Sequence, residues 1–263
     1  MTAKRRYRRF YSSLPLPQAG HSLELTAEQT RHLKTIIRLK EGDQCLVTDG
    51  EGRESLAVIK HFTSQNTTEL LILSEPLPFS EDTIAISIFQ AMPRLGKIEF
   101  LVQKGQELGL THLWPLETQR TVVKIDPKRE IAKLERWGKI ARESAKQSGT
   151  SRILKIHRPS SLQDAANSLT EDSDVAIFHP AGDAKRFRDW LEDLDANEAT
   201  SSLNLFFGPE GGFSKSEIDF FFSAAKEKKW RMNLVHLGKS ILRADTAFVG
   251  VLAALRFFIE PRK

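Results

Sequence analysis

Leu203-Asn204-Leu205-Phe206-Phe207-Gly208-Pro209-Glu210-Gly211-Gly212-Phe213-Ser214-Lys215-Ser216-Glu217 decides the reading of this chain. Its first five residues are mostly apolar and aromatic, and so short a run between breakers reads as a buried strand. Ser214 and Glu217 then stand at the S-x-x-E spacing of a capping box, ahead of Ile218, Phe221 and Phe222 on a helix. A strand ends, a glycine-rich loop follows and a helix begins. Gly208, Gly211 and Gly212 leave no Cβ in the way of a ligand, and Pro209 stiffens the loop. In open α/β sheets ligands sit outside the carboxyl ends of strands, which is where this loop lies. Taken alone, three glycines favour a ligand loop over a plain tight turn only modestly.

A second stretch shifts that balance. Leu234-Val235-His236 is another short strand candidate, followed by Leu237-Gly238-Lys239-Ser240-Ile241-Leu242-Arg243-Ala244-Asp245-Thr246-Ala247 and an apolar helix from Phe248 to Phe258. A Gly-Pro-Glu-Gly-Gly-Phe loop, followed one helix and one strand later by Leu-Gly-x-x-Ile-Leu-Arg-x-Asp-Thr-Ala, is a specific pair. It resembles the RsmE family, the 16S ribosomal RNA (uracil-N3)-methyltransferases of the SPOUT superfamily. Members usually carry Glu where this chain has Asp245, a shorter carboxylate of the same charge.

The resemblance spans nearly the whole chain. It includes Gln90-Ala91-Met92-Pro93-Arg94-Leu95-Gly96-Lys97 with Glu99, Gln103-Lys104 and Glu107-Leu108-Gly109. It continues through Arg120-Thr121-Val122-Val123, then Arg136-Trp137, Ile140, Glu143 and Gln147-Ser148-Gly149. The family more often has Lys-Gly-Asp-Arg at 94–97 and Glu-Ala-Ala-Glu-Gln at 143–147. These departures fall on candidate RNA contacts and leave the glycine loops intact.

Between the two ends the chain alternates strand and helix. Strands are expected at 84–89, 112–116, 153–157, 174–178, 203–207 and 234–237, with helices at 97–108 and 127–148. That order implies an α/β domain with a parallel sheet covered on both faces. General topology rules would draw it unknotted. The resemblance implies instead a SPOUT domain whose C-terminal segment forms a trefoil knot that binds S-adenosylmethionine (AdoMet).

Upstream the pattern changes. Residues 44–48 and 55–60 flank Asp49-Gly50-Glu51-Gly52, a strong hairpin signal, and 68–73 supplies another strand. One helix is expected over 29–39, burying Leu33, Ile36 and Ile37. Glu75-Pro76-Leu77-Pro78-Phe79 is the expected linker, dividing the chain into domains 1–75 and 76–263. The string from His32 to Asp43 also matches the family, where this unit is a PUA-like RNA-binding barrel. Arg31 and Arg38 give it a basic surface. Lys4-Arg5-Arg6-Tyr7-Arg8-Arg9-Phe10-Tyr11 interleaves five cations with three aromatics. Cations neutralise phosphates and rings stack on bases, although a solvated tail is about as good a reading. The family's Arg-rich aromatic start tips it toward RNA. The RNA-binding candidates are therefore Arg5, Arg6, Arg8, Arg9, Arg31, Arg38, Arg94 and Lys97.

Composition permits this without demanding it. The chain has 263 residues, 28% charged, and a net charge of +5 that allows a polyanionic partner. One cysteine, Cys45, allows no internal disulfide and fits a reducing cytoplasm. No apolar run has the length of a membrane span, and no apolar stretch follows the basic start to make a signal peptide. Gly238-Lys239-Ser240 ends like a P-loop, but Asn233 stands where its first Gly is needed. No G-x-G-x-x-G or G-x-S-x-G occurs, and the seven histidines are too scattered to imply a metal.

The site the resemblance implies rests on three loops. Phe178 and His179 follow one strand and are placed only by that position. Gly208, Gly211 and Gly212 form the second loop, and Leu237, Gly238, Ile241 and Leu242 the third. Methylating uracil N3 requires loss of the imide proton, so a base or an anion-stabilising cation is needed. Arg243, Glu210 and Asp245 are the candidates. Glu210 and Asp245 are alternatively helix caps, and Arg243 a dimer contact, since the family is homodimeric. The expected partner is 16S ribosomal RNA or the small subunit. Other SPOUT enzymes methylate ribose 2′-OH or guanine N1, and a non-catalytic RNA-binding protein is the remaining alternative.

Overall fold

The first sheet begins where the arginine-rich run meets a hairpin. In the computed structural model, which describes residues 7–12, 14–78, 84–93, 96–123, 125–180, 182, 184–195 and 202–259, the chain divides into two compact units. One is Met1–Glu81 with Ala145–Ile153, the other Asp82–Ser144 with Leu154–Lys263. Arg5, Arg6 and Arg94 lie outside the described residues.

The first unit holds strands β1 (Arg9–Tyr11), β2 (Ser22–Leu25), β3 (Gln44–Thr48), β4 (Arg53–Phe62), β5 (Thr68–Ile72) and β6 (Leu77–Pro78). Their order is β1-β3-β4-β5-β2, with β6 on β4. Only β1 and β3 run parallel. Strict alternation along β4 sends Ala57 and Ile59 into a core with Phe10, Leu25, Leu33, Cys45, Val47, Leu70 and Ile72. Asp49 closes the β3–β4 turn: its Oδ1 accepts from the Glu51 and Arg53 amides at 2.8 and 3.1 Å.

The expected helix at 29–39 is α1 (Ala27–Arg31), which continues as a π-helix over His32–Ile37. Thr26 and Gln29 form its capping box. The wider π turn breaks the 3.6-residue spacing, so Leu33 is fully buried but Ile36 is 70% exposed, against the expectation. The expected linker also differs, because Leu77–Pro78 pairs with β4 at the sheet edge, a position that tolerates proline.

The second unit holds β7 (Ala85–Ala91), α2 (Ile98–Glu107), β8 (His112–Glu117), α3 (Pro127–Ser148) as far as Ser144, β9 (Lys155–Ile156), β10 (Ser160–Ser161), α4 (Leu162–Asn167), β11 (Asp174–Phe178), β12 (Lys185–Arg186), α5 (Phe187–Asp195), β13 (Ser202–Phe207), α6 (Lys215–Glu227), β14 (Arg231–His236) and α7 (Ala244–Ile259). Every pairing is parallel, in the order β10-β8-β7-β13-β11-β14-β12, with β9 on β8. The strand expected at 153–157 shrinks to two residues, and the last strand starts three residues earlier than expected.

Because strand neighbours alternate faces, Phe206 and Phe207 serve different cores. Phe206 stacks on Phe89 at 4.3 Å, Phe89 on Trp114 at 5.5 Å and Trp114 on His157 at 3.5 Å. Phe206 also meets Phe221 of α6 edge-on, and that core includes Phe213, Leu162 and Trp230. Phe207 stacks on Phe178 at 4.4 Å and faces Phe248 of α7, while Trp190 of α5 meets Phe178 edge-on. No helix among the described residues is long and apolar enough to cross a membrane.

Candidate active site at the strand ends

Register brings the predicted loops together. Phe207 of β13 pairs with Phe178 of β11, and Phe178 with Val235 of β14, so three adjacent strands end in one row. Gln90 of β7 pairs with Phe207 and extends the row. The His179 amide bonds the Val235 carbonyl at 3.0 Å, one step further. The loops from 179, 208 and 237 therefore leave the sheet side by side.

The Gly208–Phe213 loop is built by its glycines for different reasons. Gly212 donates to the Pro209 carbonyl at 2.8 Å and has φ +67, a left-handed conformation that suits glycine. A Cβ on Gly208 would sit 3.1 Å from the Phe213 amide nitrogen and 3.3 Å from Gly212. At Gly211 the nearest atom to a Cβ would be Cδ of Arg120, at 3.4 Å. Gly208 and Gly212 thus serve the turn, while Gly211 is exposed.

Arg120 is a member of the site that the sequence reading passed over. Its guanidinium donates to the Gly211 carbonyl at 2.6 Å. Beside it, the Gln119 amide donates to Glu217 at 2.8 Å, and the Gln119 side chain bonds Ser216 at 3.0 Å. The other Glu217 oxygen accepts from Ser214 at 2.7 Å, completing the capping box, and Glu217 is only 5% exposed. The segment after β8 therefore straps the glycine loop and the start of α6.

His179 lies next to this strap. Burial first, then the positive charge of Arg120, lowers its pKa, so the ring is held neutral. Its Nδ1 is buried without a hydrogen-bond partner among the described residues, and so is Oε1 of Gln90. Phe178 is 8% exposed and fully engaged in the aromatic stack, so only its backbone is available to a ligand.

The third loop is open. Gly238 has φ +113 and its amide bonds Nδ1 of His236 at 3.2 Å. Leu237 is half-buried, whereas Leu242 is 42% and Ile241 86% exposed. Arg243 is exposed at the head of α7, and its carbonyl accepts the Ala247 amide at 2.9 Å. Its guanidinium has no partner among the described residues. Glu210 is exposed at the turn and does not cap α6, because Ser214 does. Asp245 lies inside the first turn of α7 and pairs with Lys97 at 2.9 Å. That hydrogen bond, opposed by desolvation, holds its carboxyl below the ordinary range.

Among the proposed RNA ligands, Arg8, Arg31 and Arg38 are exposed. Arg9 is not free: it bonds Glu54 at 2.8 and 3.0 Å and donates to the Gly149 carbonyl, with its side chain 12% exposed. Lys97 points its ammonium at Asp245.

The RNA methyltransferase domain family matches residues 80–256, and the RNA methyltransferase PUA domain family matches residues 25–64. Ribosomal RNA small subunit methyltransferase E of Bacillus subtilis is 28% identical over 242 residues, covering 91% of each chain. Ribosomal RNA small subunit methyltransferase E 2 of Borreliella burgdorferi is 30% identical, covering 87% of this chain and 88% of its own. The crystal structure of the Neisseria gonorrhoeae enzyme E, bound to S-adenosyl methionine, superposes with a TM-score of 0.78 at 25% identity, covering 95% and 97% of the two chains. Matched across both its units, and 30% identical to one relative along most of each chain, this protein belongs to the ribosomal RNA small subunit methyltransferase E family of RNA methyltransferases.

Proposed function

We propose that this protein transfers a methyl group from AdoMet to N3 of a uridine in 16S ribosomal RNA. The observation that carries the reading is the common row in which β13, β11 and β14 end, which sets three ligand loops side by side at the carboxyl edge of a parallel sheet. The residues present fit AdoMet. Exposed Ile241 and Leu242 offer an apolar face for a flat base, and His179 offers a buried nitrogen lacking a partner. AdoMet, when bound, supplies a methyl group activated by its sulfonium.

The chain's own residues divide the remaining work. Arg120 holds the Gly211 carbonyl and so fixes the peptide that faces the ligand. Arg243, uncommitted elsewhere, is the cation for the uracil anion formed when N3 loses its proton. Pairing with Lys97 makes Asp245 a weaker proton acceptor and suits it to orienting Lys97. Glu210 is the exposed carboxylate left to take the proton. The position of β13 between the earlier strands β7 and β11 supports reading the C-terminal crossover as the trefoil knot.

The same proposal assigns the first unit to RNA binding and the second to catalysis, in the cytoplasm. It also makes the protein a homodimer, supported by the exposure of Phe100 on α2 and Phe257 on α7, at 45% and 78%. Mass spectrometry of ribosomal RNA nucleosides from a strain lacking the protein tests the chemistry. Loss of 3-methyluridine supports it. Loss of a ribose-methylated nucleoside or of N1-methylguanosine would replace it with the corresponding transfer.

A further inference from the structure

The net charge of +5 is unevenly spread. Helix α3 alone holds seven basic and three acidic residues, a net of +4, while α5 holds one basic and four acidic residues, a net of −3. At about 100° per residue, Lys128, Lys139, Arg142 and Lys146 fall within roughly 60° of one another on α3. Arg129 and Arg136 flank them. The opposite face is packed, with Trp137 2% exposed and Ala141 and Ala145 fully buried. The cations are thus turned to solvent by the burial of the other face.

A solvated charged helix usually balances its signs through ion pairs along its surface. Arg136 does so with Glu99 at 2.8 Å. Lys128, Arg129, Lys139 and Arg142 are exposed and have no ion pair within 4 Å among the described residues. Glu135 lies on the same stripe and reduces its charge without pairing any of them. From Lys128 to Arg142 these unpaired cations span about 21 Å, at 1.5 Å per residue. A row of cations of that length, with their carboxylate partners missing, suits a polyanion whose charges repeat along a line.

We propose that the solvent face of α3 binds the phosphate backbone of the ribosomal RNA substrate, as a contact surface separate from the glycine loops and from the arginine-rich start. It rests on the reading that the substrate is ribosomal RNA. The contact is electrostatic and carries no sequence preference, so it fixes orientation rather than choosing the base.

The test is a variant with Lys128, Arg129, Lys139 and Arg142 all changed to Gln, compared with a control in which the exposed Lys215 and Lys226 of α6 and Lys229 in the turn after it are changed to Gln. Binding to a 16S ribosomal RNA fragment is titrated against salt, with AdoMet affinity measured in parallel. The slope of log K against log salt should fall by roughly 0.7–0.9 per lost contact in the α3 variant, or about 3 in all. It should be unchanged in the control, and AdoMet affinity unchanged in both. An unaltered slope in the α3 variant overturns the proposal, as does an equal fall in both, which would reflect net charge alone. Weakened binding to the assembled small subunit with unweakened binding to bare RNA overturns it in favour of a ribosomal protein. If the unmutated protein neither binds nor methylates the RNA, the functional reading falls as well. If it does both and only the slope prediction fails, the α3 contact falls alone.

Discussion

Alanine at Gly208, Gly211 and Gly212 should produce three different results, because the loop uses each glycine differently. At Gly212 no atom lies within 4 Å of the new Cβ, so the whole cost is backbone. Its φ of +67 costs an L-residue about 1–2 kcal/mol, and the unfolding free energy should fall by that amount. At Gly208 the Cβ meets the Phe213 amide nitrogen at 3.1 Å. That neighbour is backbone and cannot swing aside, so overpacking should cost about 1–3 kcal/mol. At Gly211 the Cβ makes ordinary contact with Arg120, and Gly211→Ala should stay within about 0.5 kcal/mol of the parent. Gly211→Val adds two methyls against Arg120 and displaces its bond to the Gly211 carbonyl. A charge-assisted hydrogen bond at an exposed site contributes about 1.5 kcal/mol, so AdoMet affinity should drop roughly tenfold while the fold holds. Urea unfolding and isothermal titration calorimetry read the two quantities separately. Gly211→Val with unchanged AdoMet affinity removes this loop from the cofactor site. Gly212→Ala as stable as the parent refutes the backbone argument.

Arg243→Ala should lower the single-turnover methylation rate by about a hundredfold, near 3 kcal/mol, with AdoMet affinity nearly kept and Arg243→Lys recovering part. Sedimentation checks that the loss is chemical: an inactive protein that has also fallen to monomer moves Arg243 to the interface. Arg9→Ala should destabilise the first unit by about 2 kcal/mol, since it strands Glu54 in a partly buried site, while Arg8→Ala leaves unfolding unchanged and weakens RNA binding. Equal stability of the two variants would contradict this. The His157 imidazole is pushed down to about 4 by burial, then by His112 and Lys155. Below about pH 6.5 the unfolded chain takes up this proton and the native one does not. Stability should therefore fall from pH 6.5 toward 4. The full shift corresponds to about 3 kcal/mol, reduced to roughly 1–2 because the ring is only half-buried. The His157→Gln variant should flatten that profile, and an identical pH slope in the two proteins would exclude His157 as the cause.

Segments that carry their own physical signal were legible in the sequence. Helix α3 has the expected bounds because Ala141 and Ala145 stand at helical spacing and are buried, although Ile131, placed on the same side, is 63% exposed, and Gly149, at φ +76, ends it. The strands at the site were legible for the same local reason, each a short apolar run between breakers. The short strands β1, β2, β6, β10 and β12 were not. β1 and β2 take their partners from β3 and β5 and β12 from β14, tens of residues away, and nothing in Arg9–Tyr11 or Lys185–Arg186 encodes the pairing. The strap at Gln119 and Arg120 was missed for that reason. Its partners, Gly211, Ser216 and Glu217, stand more than ninety residues on, and Glu217 already had a sufficient local role as the third residue of a capping box.

The arginine-rich start shows the limit in its sharpest form. Arg8 and Arg9 are neighbours of the same type, and composition gives both the same part in RNA binding. The pleat separates them. Strand β1 begins at Arg9 and pairs it with Leu46, while the Arg8 carbonyl accepts the Leu46 amide. Successive side chains leave a strand on opposite sides, so only one of the two can reach Glu54 and Gly149. Phe10, next along, is 4% exposed in the core of the first unit, and Tyr11 bonds the Thr150 carbonyl at 2.6 Å. Arg9 and Tyr11 therefore anchor the 149–150 segment from one side of the strand, Phe10 fills the core from the other, and Arg8 keeps its charge in solvent. A row of cations in a sequence counts phosphate contacts only after the strand's two-residue period has assigned each one a side.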